Sequence, residues 1–155
     1  PEPADKPALL ASRLTDPGAH AGPAALTDQY LTDLVRFRDD AHIAAWRPYE
    51  IDGLAWEALT LIWRGEAYSA ETLAKRLERR AQPVQAYVLA IHELVERSWI
   101  AQYSETYRVT DRGAALRQQA ESMTERYFYA PWSCLSDAEI GELRGLLAQL
   151  RDRYA

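Results

Sequence analysis

Lys75, Arg76, Arg79 and Arg80 crowd one short stretch, Gln82 and Gln85 follow it, and Arg108 stands further on. Clustered guanidinium and ammonium groups hold phosphate oxygens, which gives position and non-specific affinity. A glutamine amide presents a donor and an acceptor at fixed separation, the pattern needed to read an adenine edge. These seven side chains are the candidate double-stranded DNA surface of the chain.

Other chemistry-bearing groups read differently. Asp39, Asp40 and His42, followed by Glu50 and Asp52, have donor types that suit a divalent metal. However, Asp40 and His42 diverge on a helix, and no second histidine sits at a ligand spacing. The expectation is therefore no metal, with His42 bridging the first helix to the rest of the domain. His92, beside Glu93 and Glu96, reads as a polar helix surface or a buried hydrogen bond, and His20 says little. Cys134 has no histidine near it in sequence; small-residue packing and redox sensing both remain open. Trp46, Trp56, Trp63, Tyr127 and Trp132 form a candidate pocket for an apolar ligand, with core and dimer packing as the plainer reading. No phosphate loop, nucleophile elbow or paired-carboxylate site is present, so neither an enzyme nor a cofactor is expected.

The elements that must position these residues are legible from punctuation and period. Residues 1–25 are rich in Pro, Ala and Gly and read as a flexible arm, with a possible short helix at Leu9–Leu14. Thr27 is the expected cap of a first helix reaching Trp46, ended by Pro48. Asp52 caps a second helix to Trp63, closed by Gly65. Ser69 caps a third helix with Leu73, Ala74 and Leu77 on its buried face. After the turn at Arg79–Gln82, Pro83 introduces a helix from about Val84 to Arg97. Residues 99–103 and 106–109 alternate as two strands joined by a tight Ser104-Glu105 turn. A long helix over about 112–129 follows, with Ala115, Leu116, Ala120, Met123, Tyr127 and Phe128 expected inside. Ser136-Asp137-Ala138-Glu139 is a capping box that opens an amphipathic last helix over about 137–153. The expected fold is mainly α with a small β-hairpin wing. It is a single domain over 26–155, with a helix-turn-helix at about 69–97 and a wing at about 99–109.

Composition sets the outer bounds. Of the 155 residues, 48% are hydrophobic and 26% charged, as in an ordinary globular domain with room for a core. The net charge of −5 counts mildly against a free-standing DNA binder, since such domains usually carry a basic surface. The single cysteine excludes a disulfide within the chain and suits a reducing cytoplasm. No apolar run approaches the ~18 residues of a membrane span. The start at Pro1, without Met, suggests a trimmed chain or part of a longer one.

Thr110-Asp111-x-Gly113-x-x-Leu116, the LVERSWIAQ run that enters the wing, and SDAEIGELRGLLAQLRDRY at the end together resemble the MarR-type winged-helix family, from about Asp52 onward. Arg36–Ala45, Asp52–Leu54 and Ala130–Ser136 resemble a bacterial branch with an extra helical segment before the domain. The resemblance implies a homodimer held by N- and C-terminal helices, a helix in the major groove, and often a small-molecule effector. In the register it sets, Tyr87, Ala90, Ile91 and Leu94 face the core. Gln85, Ala86, Val88 and Leu89 then occupy the base-facing positions. The family usually places Ser, Thr and Arg there and often puts arginines in the wing, so this chain departs from the pattern at both places. The expected function is thus a homodimeric, effector-responsive DNA-binding regulator. The alternative is a winged helix used for protein contact at Val88 and Leu89, or for ligand binding, without specific DNA recognition.

Overall fold

The computed structural model describes residues 22–154. Residues 1–21 of the expected arm, Leu9–Leu14 included, lie outside the described residues. The first helix, α1, spans Pro23–Trp46, so it begins within the stretch expected to be arm. Gly22 precedes it and Pro23 opens it, where the missing proline N–H loses no helical bond. Thr27 is therefore not the cap. It lies one turn inside, and its hydroxyl donates to the Pro23 carbonyl at 2.9 Å. A hydroxyl looks like a start signal, but proline followed by two alanines already provides the preset φ and a high helix propensity.

A single 3-10 turn over Arg47–Tyr49 carries Pro48, and Glu50 then takes a left-handed conformation with φ 51°. Helix α2 spans Gly53–Trp63, and the Asp52 carboxylate accepts from the Leu54 N–H at 2.8 Å. Gly65, at φ 72°, turns the chain toward α3, Ala70–Arg76. Ser69 and Thr72 cap α3 reciprocally: Ser69 Oγ accepts from the Thr72 N–H, and Thr72 Oγ1 from the Ser69 N–H. A 3-10 turn over Glu78–Arg80 leads to α4, Val84–Glu96, with Pro83 just ahead of it.

Strands β1, Ile100–Tyr103, and β2, Thr106–Val109, pair antiparallel with Ile100 opposite Val109 and Tyr103 opposite Thr106. The Tyr107 N–H donates to the Tyr68 carbonyl at 2.9 Å, so the wing is also tied to the loop before α3. Thr110 caps α5, Asp111–Tyr129, and its own hydroxyl reaches back to the Ser98 carbonyl at 2.8 Å. After a 3-10 stretch over Ala130–Cys134, Ser136 and Glu139 form the expected capping box of α6, Asp137–Tyr154.

The core lies where α2, α3, α4 and the wing meet. Leu59, Leu73, Tyr87, Leu94 and Ile100 are each essentially sealed from solvent, with Trp56 and Trp99 beside them. Tyr87, Ala90, Ile91 and Leu94 are the buried face of α4, as the helical period requires. Helix α5 departs from expectation. Its buried stripe is Gly113, Arg117, Ala120 and Thr124; Ala115 is exposed, and Leu116, Met123, Tyr127 and Phe128 are half-buried. Two polar residues hold central positions because α1 and α2 supply their partners, as described below.

Helix α1 packs along α5. Helix α6 has no extensive packing against any other element of its own chain among the described residues. Its Leu146 and Leu147 are exposed, as are Tyr30, Val35 and Ile43 of α1. No helix among the described residues is long and apolar enough to cross a membrane.

Candidate nucleic-acid interface

The turn between α3 and α4 presents the basic cluster, and α4 follows with its first two turns open to solvent. Lys75, Arg76, Arg79, Arg80, Gln82 and Gln85 are all exposed on this side. They are not equally available. Arg80 forms a two-pronged pair with Glu57 of α2, Nε to Oε2 at 3.1 Å and Nη2 to Oε1 at 3.2 Å. Arg76 Nε donates to the Glu66 carbonyl at 3.2 Å. Both arginines thus brace the helix-turn-helix against α2 and the loop that follows it. Lys75 and Arg79 have no side-chain partner among the described residues. The cleft beneath the turn, about 350 Å³, mixes signs, with Glu57 and Glu78 between Arg76, Arg79 and Arg80.

Arg108 projects from β2 with its guanidinium 5.5 Å from the Tyr103 ring centre. That stacking orients a cation on the wing without neutralising it. Segment 69–97 sets five cations, Lys75, Arg76, Arg79, Arg80 and Arg97, against Glu71, Glu78, Glu93 and Glu96. The acidic excess of the whole chain therefore lies elsewhere.

Helix α4 itself is unusual. From Ala81 to Ile91 the chain has no lysine, arginine or carboxylate. Val84 and Val88 are 41% exposed and Leu89 is 64% exposed, with Gln85 between them as the polar member. The first acid on the helix, Glu93, is neutralised by Arg97, which also donates to the carbonyls of Tyr49 and Glu50. Tyr87, on the inner face, is sealed, and its hydroxyl has no partner among the described residues. Burial, followed by the Glu57 charge, pushes its pKa up.

Behind this surface, the aromatic residues divide into two groups. Trp46 stacks on Trp56 with ring centres 5.6 Å apart, and Tyr49 stacks on Trp56 at 6.0 Å. Trp56 and Trp63 then flank Arg117, whose guanidinium carbon lies 5.1 and 5.3 Å from the two rings. Trp132 stands apart from these, against Phe128 and Tyr129. Of the candidate pocket residues, Trp46, Trp56 and Trp63 share one neighbourhood, which an arginine fills, and Trp132 belongs to another. Tyr127 is half-buried on α5.

Arg117 is the residue that periodicity missed. It is 2% exposed; its Nε donates to Thr60 Oγ1 at 3.0 Å, and its Nη1 lies 2.5 Å from Glu121 Oε1. The Nη1 contact is an ion pair whose alignment falls short of a hydrogen bond. Glu121 also meets Arg38 of α1 at 3.6 Å. The only sequence signal was the Arg117–Glu121 spacing, which is equally that of a surface pair.

His42 does bridge α1 to the rest of the domain. Thr124 Oγ1 donates to the Ala120 carbonyl at 2.8 Å, so its one proton is spent and it must accept from His42 Nδ1–H, at 3.0 Å. His42 Nε2 is then unprotonated and accepts from the Trp56 indole N–H at 3.2 Å. Protonating Nε2 would set two donors face to face. Burial, and then Arg117, lower the His42 pKa, with Arg38 acting in the same direction; Glu121 and Asp39 oppose them. A histidine unfolded at about 6.5 and lower when folded takes up its proton first in the unfolded chain. Its contribution to stability is therefore complete above about pH 6.5 and is lost as pH falls from there toward the folded value. Urea unfolding at pH 7.5 and 5.5 should show the native protein weakening on acidification. A His42→Gln variant should lack that component of the slope; an equal slope in both would remove His42 as its source.

A family model described as a helix-turn-helix family matches residues 8–155. A search among curated proteins finds no match. Among solved structures, the chain is similar to the multiple antibiotic-resistance repressor MarR of Listeria monocytogenes, at 14% identity and a TM-score of 0.71, covering 84% of this chain and 94% of that one. It is similar to the transcriptional regulator Tm0710 of Thermotoga maritima, at 11% identity and a TM-score of 0.72, covering 83% and 94%. A Staphylococcus aureus MepR mutant bound to an oligodeoxyribonucleotide matches at 13% identity and a TM-score of 0.63, covering 87% and 99%. The capped α3, the exposed α4 and the two-stranded wing have their counterparts in that architecture, and the chain belongs to this helix-turn-helix family, with the MarR-type winged-helix fold.

Proposed function

We propose that the chain is a DNA-binding regulator that works as a homodimer. The observation that carries this reading is the placement of α4: a helix held by a capped helix-turn-helix, with its outer face bare. Lys75 and Arg79 flank it on one side, and the wing cation Arg108 is free to meet phosphate. The second copy follows from the apolar residues left open on α1 and α6, since an amphipathic helix with no cover in its own chain needs one. Control by a small apolar molecule, as in the wider reading, would require Trp46 to leave Trp56 or Arg117 to leave its slot.

Binding should be modest and strongly salt-dependent. With Lys75, Arg79 and Arg108 from two protomers, about six phosphates are met, and the logarithm of affinity should fall against that of salt with a slope of about −5. Arg79→Ala should weaken binding evenly across sequences and reduce the slope by roughly 2 in a dimer. Fluorescence anisotropy on a generic duplex, with light scattering for the oligomeric state, checks both points. A monomer, or no binding at low salt, would overturn the reading.

The exposure of Leu89 favours a second reading, in which α4 docks a protein. Exchange of Val88 and Leu89 for Ser and Arg should then break an assembly while leaving DNA affinity unchanged or raised.

A further inference from the structure

We infer that α4 selects A·T-rich duplex DNA by burying the C5-methyl groups of thymine against Val84, Val88 and Leu89, with Gln85 as its single base-edge hydrogen-bonding residue. The inference rests on the DNA-binding reading above and gives it a substrate class.

The argument starts from what α4 lacks. Guanine is most often read by an arginine or lysine bridging O6 and N7, and α4 has neither before Arg97, which is committed to Glu93 and two carbonyls. Cytosine offers an N4 donor, met best by a carboxylate; the only carboxylates of α4 lie in its last turn, which leaves the first two turns with the single Gln85 amide oxygen as acceptor. A G·C pair set against the first two turns would therefore lose hydrogen bonds to water and regain few. An A·T pair differs. Gln85 matches the adenine N6 and N7 pattern, and the thymine methyl is the one apolar group that the major groove displays. Residues 84, 85, 88 and 89 form the outer face of the first two turns, the part of a recognition helix that meets base edges.

The surroundings favour a polyanion over a protein. The apolar face is small, is interrupted by Gln85, and has no exposed tryptophan, tyrosine or arginine on α4 to anchor a protein interface. Lys75 at the end of α3, Arg79 on the turn and Arg108 on the wing are all exposed cations, which suit phosphates on either side of a groove.

The test uses the full chain and four duplexes of equal length at one salt concentration. They are an alternating A·T duplex, the same duplex with uracil in place of thymine, an alternating G·C duplex, and that duplex with 5-methylcytosine. The A·T duplex should bind about tenfold more tightly than the G·C duplex, since several buried methyls together reach that scale. Uracil should remove most of the preference, and 5-methylcytosine should recover part of it. The salt slope should stay constant throughout, because the phosphate contacts are the same. Val88→Ser with Leu89→Ser, at partly exposed positions, should erase the thymine-over-uracil difference while leaving the salt slope unchanged and lowering the melting temperature only slightly. Equal affinity for the thymine and uracil duplexes would overturn the inference and leave DNA binding intact. Failure to bind any duplex at low salt would overturn both. Loss of assembly in the serine variant, without a change in the uracil comparison, would assign the face to protein.

Discussion

A Gly113→Ala variant should be severely destabilised, by about 3 kcal/mol or more, although alanine is the better helix former. The two effects oppose each other and differ in size. Moving from glycine to alanine inside a helix gains about 1 kcal/mol. Against that, a Cβ at Gly113 would sit 2.0 Å from the Trp99 carbonyl oxygen, 2.8 Å from its carbon and 3.0 Å from Val109 Cγ2. Two of these three atoms are backbone and cannot rotate away. The first turn of α5 lies directly on the entry to β1, and Thr110 fixes that spacing through its bonds to the Ser98 and Trp99 carbonyls. Relief would require the wing to lift from α5, breaking the same contacts. Thermal or urea unfolding measures the loss. A variant as stable as the parent would show that the wing sits more loosely on α5 than these distances allow. Gly141 is the control, since it too lies inside a helix but a Cβ there meets nothing within 4 Å. Gly141→Ala should keep the propensity gain and stabilise slightly.

Gly113 also shows what the sequence could and could not convey. Its spacing from Thr110 and Asp111 was legible as part of a family pattern, but its physical reason was not, because Trp99 approaches from fourteen residues away. Local chemistry read well in general. Asp52, Ser69 and Ser136 cap the helices that their side chains announce, and α4 buries the face its period predicts. Thr27 read badly because a hydroxyl near a helix start is ambiguous once a proline lies four residues before it. The inner face of α5 read badly for a different reason. Periodicity sorts residues by apolarity, whereas Arg117 and Thr124 are inside because Thr60, Trp56, Trp63 and His42 receive them, and those partners are remote in sequence. The basic cluster illustrates a third limit. Four cations were legible as a phosphate surface, but only the fold shows that Glu57 and the Glu66 carbonyl engage two of them.

Arg117→Ala should cost about 3–5 kcal/mol, the range for truncating a large, fully buried side chain. The cause is not mainly the carboxylate left behind. Glu121 is partly exposed and keeps Arg38 when Arg117 is lost; in the parent, Arg117 first, then His42 and Arg38, hold its pKa below the usual range despite burial. Most of the loss comes from the guanidinium slot. Truncation empties the space between Trp56 and Trp63, forfeits two desolvated cation–π contacts and leaves Thr60 Oγ1 without its donor. Arg117→Met separates these terms. An unbranched thioether fills the slot without charge, so it should recover part of the loss, and an apolar replacement of a buried ion pair is at times neutral. Arg117→Lys keeps the charge but has neither the planar face to lie between two rings nor an Nε at the right height for Thr60, so it should fall below the parent. Recovery by lysine alone would mean that the charge near Glu121 matters and the sandwich does not; recovery by methionine alone would mean that filling the slot suffices. Because α2 braces the helix-turn-helix through Glu57 while α1 carries one of the proposed dimer faces, the same substitutions should also loosen the α1–α2 junction at His42. The proposed DNA affinity should then fall further than stability alone requires, with the salt slope unchanged.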